Sequence, residues 1–83
     1  MSHYKKLYAK MKNNPRDVRF QDIDKLLTQK GGFIRKNPGR GSSHYTYSHP
    51  NLVHIITIPK DRPVKSIYIK EALSAFDMVK GDF

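Results

Sequence analysis

The spacing of apolar side chains predicts a helix near the start of the chain. Between residues 3 and 12, apolar and aromatic residues recur at intervals of three and four and so share one face: Tyr4, Leu7, Tyr8 and Met11. Lysines fill the opposite face. The run Asn13-Asn14-Pro15 should end this helix, because the residue before a proline disfavours helical angles. We expect the helix to pack on the rest of the domain and enlarge its core.

A second helix is predicted from Phe20 to Lys30, with an apolar face made of Phe20, Ile23, Leu26 and Leu27. Asp17 is its predicted N-cap, and Asp22 and Asp24 lie near the first turn, where the helix dipole favours negative charge. The pair Gly31-Gly32 should end the helix, since glycine accepts the left-handed conformation without a Cβ clash.

Three short strands are predicted to follow, at Phe33–Lys36, Ser43–Ser48 and Leu52–Ile58. Residues 37–41 form a flexible hairpin loop, and residues 49–51 form a turn. The third strand is rich in β-branched residues and apolar on both faces, so we expect it to be well covered. We accordingly interpret His54 as a hydrogen-bonded histidine of the core or of the sheet face.

The second predicted strand presents different chemistry on its two faces. Alternation along the strand places His44 and Thr46 on one side and Tyr45 and Tyr47 on the other. The tyrosines could stack on nucleic-acid bases. Packing beneath the helices is the interpretation we favour.

A charged connection over residues 59–63 leads to a last helix, predicted from Ser66 to Val79, with the stripe Ile69, Ala72, Leu73 and Phe76. The order helix, helix, three antiparallel strands, helix predicts a small α+β domain of two layers. The second face of the sheet, or its edge near the glycine loop, would then be available for function.

Charge is the strongest compositional signal. The chain has 83 residues, enough for one small domain, and its 16 Lys and Arg against 7 Asp and Glu give a net charge of +9. No acidic residue occurs between Lys25 and Lys60. This imbalance favours a nucleic acid or another polyanion as partner, although a basic protein without such a partner is the plain alternative.

Several classes of site and location are not expected. The sequence has no cysteine, which excludes disulfides and thiolate metal sites. His44, His49 and His54 match no zinc-binding spacing, so no metal site is predicted. No apolar run is long enough for a signal peptide or a membrane helix, and we expect a cytoplasmic protein without membrane association.

The candidate chemistry lies in the run from Gly39 to His44. A basic loop flanked by glycines lets a phosphate approach the main chain, and a histidine can move a proton near neutral pH. This combination fits RNA cleavage without metal, in which a neutral imidazole removes the proton of a ribose 2′-hydroxyl. A Ser43–His44 hydrolase is disfavoured, because neighbouring strand residues face opposite ways and no carboxylate follows until Asp61.

We therefore assign His44 as the candidate general base. The candidate phosphate contacts are Arg40, Gly41, Ser42 and Ser43, and the candidate RNA-steering cations are Lys30, Arg35 and Lys36. Such cations would also stabilise the charge that develops on the phosphoryl oxygens.

Several runs together resemble the HicA toxins of type II toxin–antitoxin systems: Val18–Asp22, Leu26-Leu27, Gly32-Phe33, Ser42–Pro50, Thr57–Pro59 and Val64–Leu73. The resemblance covers about residues 17–76, and it divides the chain into an N-terminal helical extension, residues 1–16, and a HicA-like domain, residues 17–83. It implies a fold similar to a double-stranded-RNA-binding domain, with a helix, three strands and a helix.

The resemblance also implies an activity. HicA toxins are small ribonucleases that cleave mRNA, and the histidine held to be catalytic corresponds to His44. It implies no metal or small-molecule cofactor, and a HicB-type antitoxin protein that binds and blocks the toxin. The family usually has glycine directly before Ser-His, where this chain has Ser42. A non-catalytic RNA-binding module on the same fold is the main alternative, and a structural basic protein bound to ribosomes or DNA is a third.

Overall fold

The computed structural model of the protein describes residues 3–81. In chain order the elements are α1 (His3–Asn13), α2 (Phe20–Lys25), a π-helical segment (Leu26–Lys30), β1 (Ile34–Lys36), β2 (His44–Ser48), β3 (Ile56–Pro59) and α3 (Ser66–Val79). The predicted α+β order is confirmed. Within this range, no helix combines the length and apolar character needed to cross a membrane.

The three strands form an antiparallel sheet in the order β1-β2-β3, with helices on one face. Tyr47 lies opposite Ile56, and Tyr45 lies opposite Ile58. These four side chains point toward the helices, and Tyr47 is completely buried. The prediction that the tyrosines pack beneath the helices is therefore confirmed.

The opposite side of the sheet is called the open face here. In antiparallel pairs, residues directly across from each other share a face. Lys36 lies across from Thr46, Thr46 from Thr57, and His44 from Pro59. Lys36 and His44 are therefore diagonal neighbours on the open face, where both are exposed.

All three helices contribute to one hydrophobic core. Leu7 and Met11 of α1 belong to the same buried cluster as Ile69 and Phe76 of α3. As expected, α1 packs on the domain and enlarges its core. The Tyr8 hydroxyl, which also belongs to α1, donates a hydrogen bond to Asp77 on α3, and Lys12 and Lys80 pair with the same carboxylate. Polar contacts thus add to the apolar docking of α1.

The second helix spans residues 20–30 as predicted, but its last part is not α-helical. Its α-helical part stops at Lys25, and the next turn widens so that the Gly31 N–H donates to the Leu26 carbonyl five residues back, at 2.9 Å. Gly32, with φ 74°, takes the left-handed conformation that ends the helix. Gly31 has right-handed angles and serves packing, because a Cβ there would lie 2.9 Å from the Leu27 oxygen and from the Phe33 ring.

The third strand is shorter than predicted. It begins at Ile56 rather than Leu52, and residues 53–55 before it are solvent-exposed, with Val53 94% and Ile55 61% accessible, while Leu52 is partly buried against the core. His54 is exposed as well, so its assignment to the core or the sheet face was wrong. The reason is geometric: the helices cover the part of the sheet that holds Ile56 and Ile58, and residues 53–55 lie outside that cover.

The N-cap of α2 and the first residue of β1 also differ from the predictions. Asp17 is not the N-cap of α2, because that position belongs to Arg19, which makes no side-chain capping bond. The first strand begins at Ile34, since the Phe33 N–H donates to the Leu27 carbonyl at 2.9 Å and its side chain is buried. Phe33 thus belongs to the helix end rather than to the sheet.

Candidate nucleic-acid interface

The loop between β1 and β2 contains a tight turn that begins at Gly39. The Ser42 N–H donates to the Gly39 carbonyl at 3.1 Å, and Gly41, at the third turn position, has φ 78°. A positive φ at the third position, without one at the second, is characteristic of a type II turn, and it strongly favours glycine at the third position. A Cβ on Gly41 would meet no atom within 4 Å. The main chain of this turn is therefore open to an approaching ligand.

Ser42 holds His44 by two contacts. The His44 backbone N–H donates to Ser42 Oγ at 3.2 Å, a local hydroxyl-to-backbone turn, and the same Oγ lies 3.4 Å from His44 Nδ1. His44 begins β2 on the open face and is exposed. Over residues 3–81, no carboxylate forms an ion pair with this imidazole. Its Nε2 therefore remains accessible to a substrate.

The structure brings together only some of the candidate site residues. Lys36 lies on the open face beside the His44 strand, and Arg40 and Ser42 lie in the turn that precedes it. Ser43 donates nothing to His44, but its carbonyl accepts the Lys60 N–H at 3.0 Å and so continues the pairing of β2 with β3. This turn and the start of β2 form the candidate site.

Arg35 and Lys30 lie elsewhere. Arg35 points to the helix side of the sheet, where its Nη1 lies 3.2 Å from both carboxylate oxygens of Asp24 and its guanidinium covers the Tyr45 ring at 5.6 Å. Lys30 ends the π-helical segment, in the helix layer. The two residues are thus separated from His44 by the sheet.

Sequence reasoning placed Asp24 near the first turn of the second helix but missed its contacts with the sheet. Besides its pairing with Arg35, it accepts a hydrogen bond of 2.6 Å from the buried Tyr47 hydroxyl. The middle of the chain lacks acidic residues, yet α2 supplies a carboxylate to the helix side of the sheet. Burial, together with the hydrogen bond and charge of Asp24, raises the pKa of the Tyr47 hydroxyl well above its usual range.

This raised pKa predicts a loss of stability at alkaline pH. The folded state favours neutral Tyr47, so its contribution is complete below the unfolded pKa of about 10 and declines as pH rises beyond it. We expect the difference in unfolding free energy between the wild type and Tyr47→Phe to shrink between about pH 9 and pH 11. Urea unfolding measured across this range checks it. A constant difference would contradict the role of Tyr47 ionisation.

The other histidines have local roles or none. His49 accepts the Asn51 N–H through Nδ1 at 3.0 Å and packs its ring against Phe33, so it stabilises the turn after β2.

The part of the chain that the structure describes holds no cluster of three or more histidine or carboxylate side chains able to bind a metal ion.

Comparison of the chain with protein-family models, with curated proteins and with solved structures found no match. The functional interpretation therefore depends on the geometry around His44 and on the charge of the chain.

Proposed function

We propose that this protein is an endoribonuclease that cleaves mRNA, acts in the cytoplasm as the toxin of a toxin–antitoxin system, and is blocked by a HicB-type antitoxin protein. The observation that carries the proposal is the accessible His44 imidazole, placed directly after an open glycine turn and held by Ser42. The net charge of +9 supports an RNA partner.

The proposed reaction needs only this chain and its substrate. His44 Nε2 takes the proton of a ribose 2′-hydroxyl, and the 2′-oxygen forms a bond to the adjacent phosphorus. The bond from phosphorus to the 5′-oxygen breaks, and that oxygen takes up a proton from solvent. The products are a cyclic phosphate and a 5′-hydroxyl, and no metal ion or small-molecule cofactor takes part.

The turn before His44 supplies the contacts for the reacting phosphate. The main chain at Gly41, the hydroxyls of Ser42 and Ser43, and the Arg40 side chain are the donors, and Lys36 adds positive charge on the same face. Donors aimed at the phosphoryl oxygens stabilise the charge that develops in the transition state. Arg35 instead supports the sheet through Asp24, and Lys30 acts at most by long-range steering.

The hydroxyl of Ser42 has a further role in this scheme. If Nε2 is to accept a proton, Nδ1 must carry the hydrogen of the neutral ring, and that hydrogen can be donated to Ser42 Oγ at 3.4 Å. Ser42 would thus favour the reactive tautomer and orient the ring, while its own hydrogen remains available for a phosphate oxygen.

Ser42→Ala is expected to lower kcat by about two- to tenfold, because one net hydrogen bond is worth roughly 0.5–1.5 kcal/mol. The conservative change Ser42→Thr keeps a hydroxyl in the same turn and should restore most of the rate. Single-turnover cleavage by both variants, measured from about pH 5 to pH 8, provides the comparison. Equal rates for the alanine and threonine variants would contradict the orienting role.

The function itself is tested by incubating the purified protein with single-stranded RNA in EDTA and analysing the ends of the products. We expect cyclic phosphate and 5′-hydroxyl ends, and no cleavage of a substrate that carries a single 2′-deoxy substitution at the cut position. Intact RNA, bound in a salt-dependent manner, would instead support the non-catalytic RNA-binding module.

Exposed apolar side chains support the proposed protein partner. Ile34 lies across from Ser48 on the open face, and both Ile34 and Ile55 expose more than half of their surface, at 65% and 61%. An antitoxin that covers the open face would bury Ile34 together with the His44 site. Coexpression with a HicB-type protein, followed by measurement of RNA cleavage by the copurified complex, tests this part of the proposal.

A further inference from the structure

A cleft of about 480 Å³ lies between the residues that precede α2 and the connection from β3 to α3. Cations, carboxylates and one aromatic ring line its walls: Asp17, Arg19, Phe20, Lys60, Asp61 and Arg62. Its volume falls within the range of small-molecule sites, which is about 300–1,000 Å³. It suits one unstacked nucleotide rather than a duplex.

The walls of the cleft are fixed by the core. The Val64 N–H donates to the Val18 carbonyl at 3.0 Å, and both side chains are buried. The Phe20 ring packs against Tyr45 with centroids 4.8 Å apart, and Lys60 Nζ lies 5.9 Å from the Phe20 centroid. The cleft is therefore preformed, which lowers the entropic cost of binding.

The cleft lies next to the proposed catalytic residue. Lys60 lines it, and the Lys60 N–H donates to the Ser43 carbonyl at 3.0 Å, while the preceding Pro59 pairs with His44. A strand of RNA with its reacting phosphate at His44 would thus bring an adjacent nucleotide around the sheet edge toward Lys60.

The charges of the cleft do not neutralise one another. Asp17, Arg19, Asp61 and Arg62 form no ion pair with any residue in the range 3–81. A site for phosphate alone would be weakened by two carboxylates, since they repel an anion. Carboxylates are instead suited to accept hydrogen bonds from the amino groups of bases, while guanidinium and ammonium groups hold the flanking phosphates.

We propose that this cleft binds an unstacked nucleobase with an exocyclic amino group, namely adenine, cytosine or guanine, next to the scissile phosphate. Asp17 and Asp61 accept from the amino group, and Arg19, Lys60 and Arg62 contact the backbone of the RNA. Uracil lacks that amino group, and its single ring donor, the N3–H, is flanked by two carbonyl oxygens that the carboxylates repel, so it is disfavoured. The inference rests on the proposed function, and it assigns that activity a sequence preference.

Cleavage of a randomised RNA pool measures this preference. For the wild type we expect uridine to be depleted at one position beside the cut by roughly tenfold, in line with 1–3 kcal/mol for a good base contact. Asp17→Ala or Asp61→Ala should reduce that depletion to about twofold or less, while Glu71→Ala, on the exposed side of α3, should leave it unchanged. The proposal would be overturned if neither aspartate variant changed the depletion of uridine, or if the wild type showed no depletion.

A binding measurement separates this proposal from the proposed function. His44→Ala is titrated by NMR with AMP, CMP, GMP and UMP up to roughly 10 mM. The amide signals of Lys60 and of Gln21, which also lines the cleft, should shift, and UMP should bind at least about threefold more weakly than the others. Asp61→Ala should remove the difference. Equal binding of the four nucleotides, or no shift at these amides, would overturn the cleft assignment. Failure of cleavage alone, with this binding pattern present, would overturn only the ribonuclease.

Discussion

Replacing His44 with alanine is expected to slow RNA cleavage by about 10²–10⁴-fold, the usual contribution of a general base. The side chain is exposed on the open face, and within residues 3–81 its ring has Ser42 as its one hydrogen-bond partner. Its removal should therefore leave the fold and the affinity for RNA nearly unchanged. The rate should fall through kcat rather than KM, since the imidazole acts on the proton that moves in the transition state.

His54→Ala is the matched control, because His54 is also exposed but lies outside the candidate site. It should cleave at the wild-type rate. Initial rates on a labelled RNA in EDTA compare the three proteins, with binding measured on a substrate that is 2′-deoxy at the cut position. Cleavage by His44→Ala at the wild-type rate would remove the proposed base, whatever the products are.

Phe76→Ala is expected to produce the largest loss of stability. The ring is completely buried, packs 5.7 Å from the Tyr8 ring and approaches Gly31 so closely that a Cβ there would lie 3.0 Å from it. Removal of such a side chain costs about 3–5 kcal/mol. A domain of this length has only about 4–12 kcal/mol of stability, so the variant should be partly unfolded at 37 °C.

Met78→Ala is the control, because it also replaces a large apolar residue of α3 with alanine. It lies two residues along α3 but is 73% exposed, so its substitution should change the unfolding free energy by no more than about 0.5 kcal/mol. Urea unfolding followed by far-UV circular dichroism compares both variants with the wild type. Similar midpoints for Phe76→Ala and Met78→Ala would contradict the core position of Phe76.

The elements that the sequence predicted well are those governed by local patterns. The last helix begins at Ser66 and ends at Val79 as predicted, because its apolar stripe is strong and Gly81 follows it. The alternation along β2 likewise predicted which face holds Tyr47 and which holds His44. The contact of Ser42 with His44 is also local, and the hydroxyl two residues before the histidine was a usable signal for it.

The elements predicted poorly depend on parts of the chain that are distant in sequence. Residues 52–55 look like a covered strand, but whether a strand is covered depends on how far the helices extend across the sheet. The different roles of Gly31 and Gly32 depend on the approach of Phe76, which is far along the chain. Asp24 contacts Tyr47, 23 residues away in sequence, and Arg35, 11 residues away, and no local pattern indicates either contact.

Because the candidate site lies on the open face, its residues can be replaced without disturbing the core. His44, Lys36 and Arg40 project into solvent and support none of the buried side chains. Changes at these positions are nearly free of folding cost. Under the proposed function, a catalytically silenced form should therefore accumulate in a host that the active form would harm, and related chains can alter their phosphate contacts without compensating changes inside the molecule.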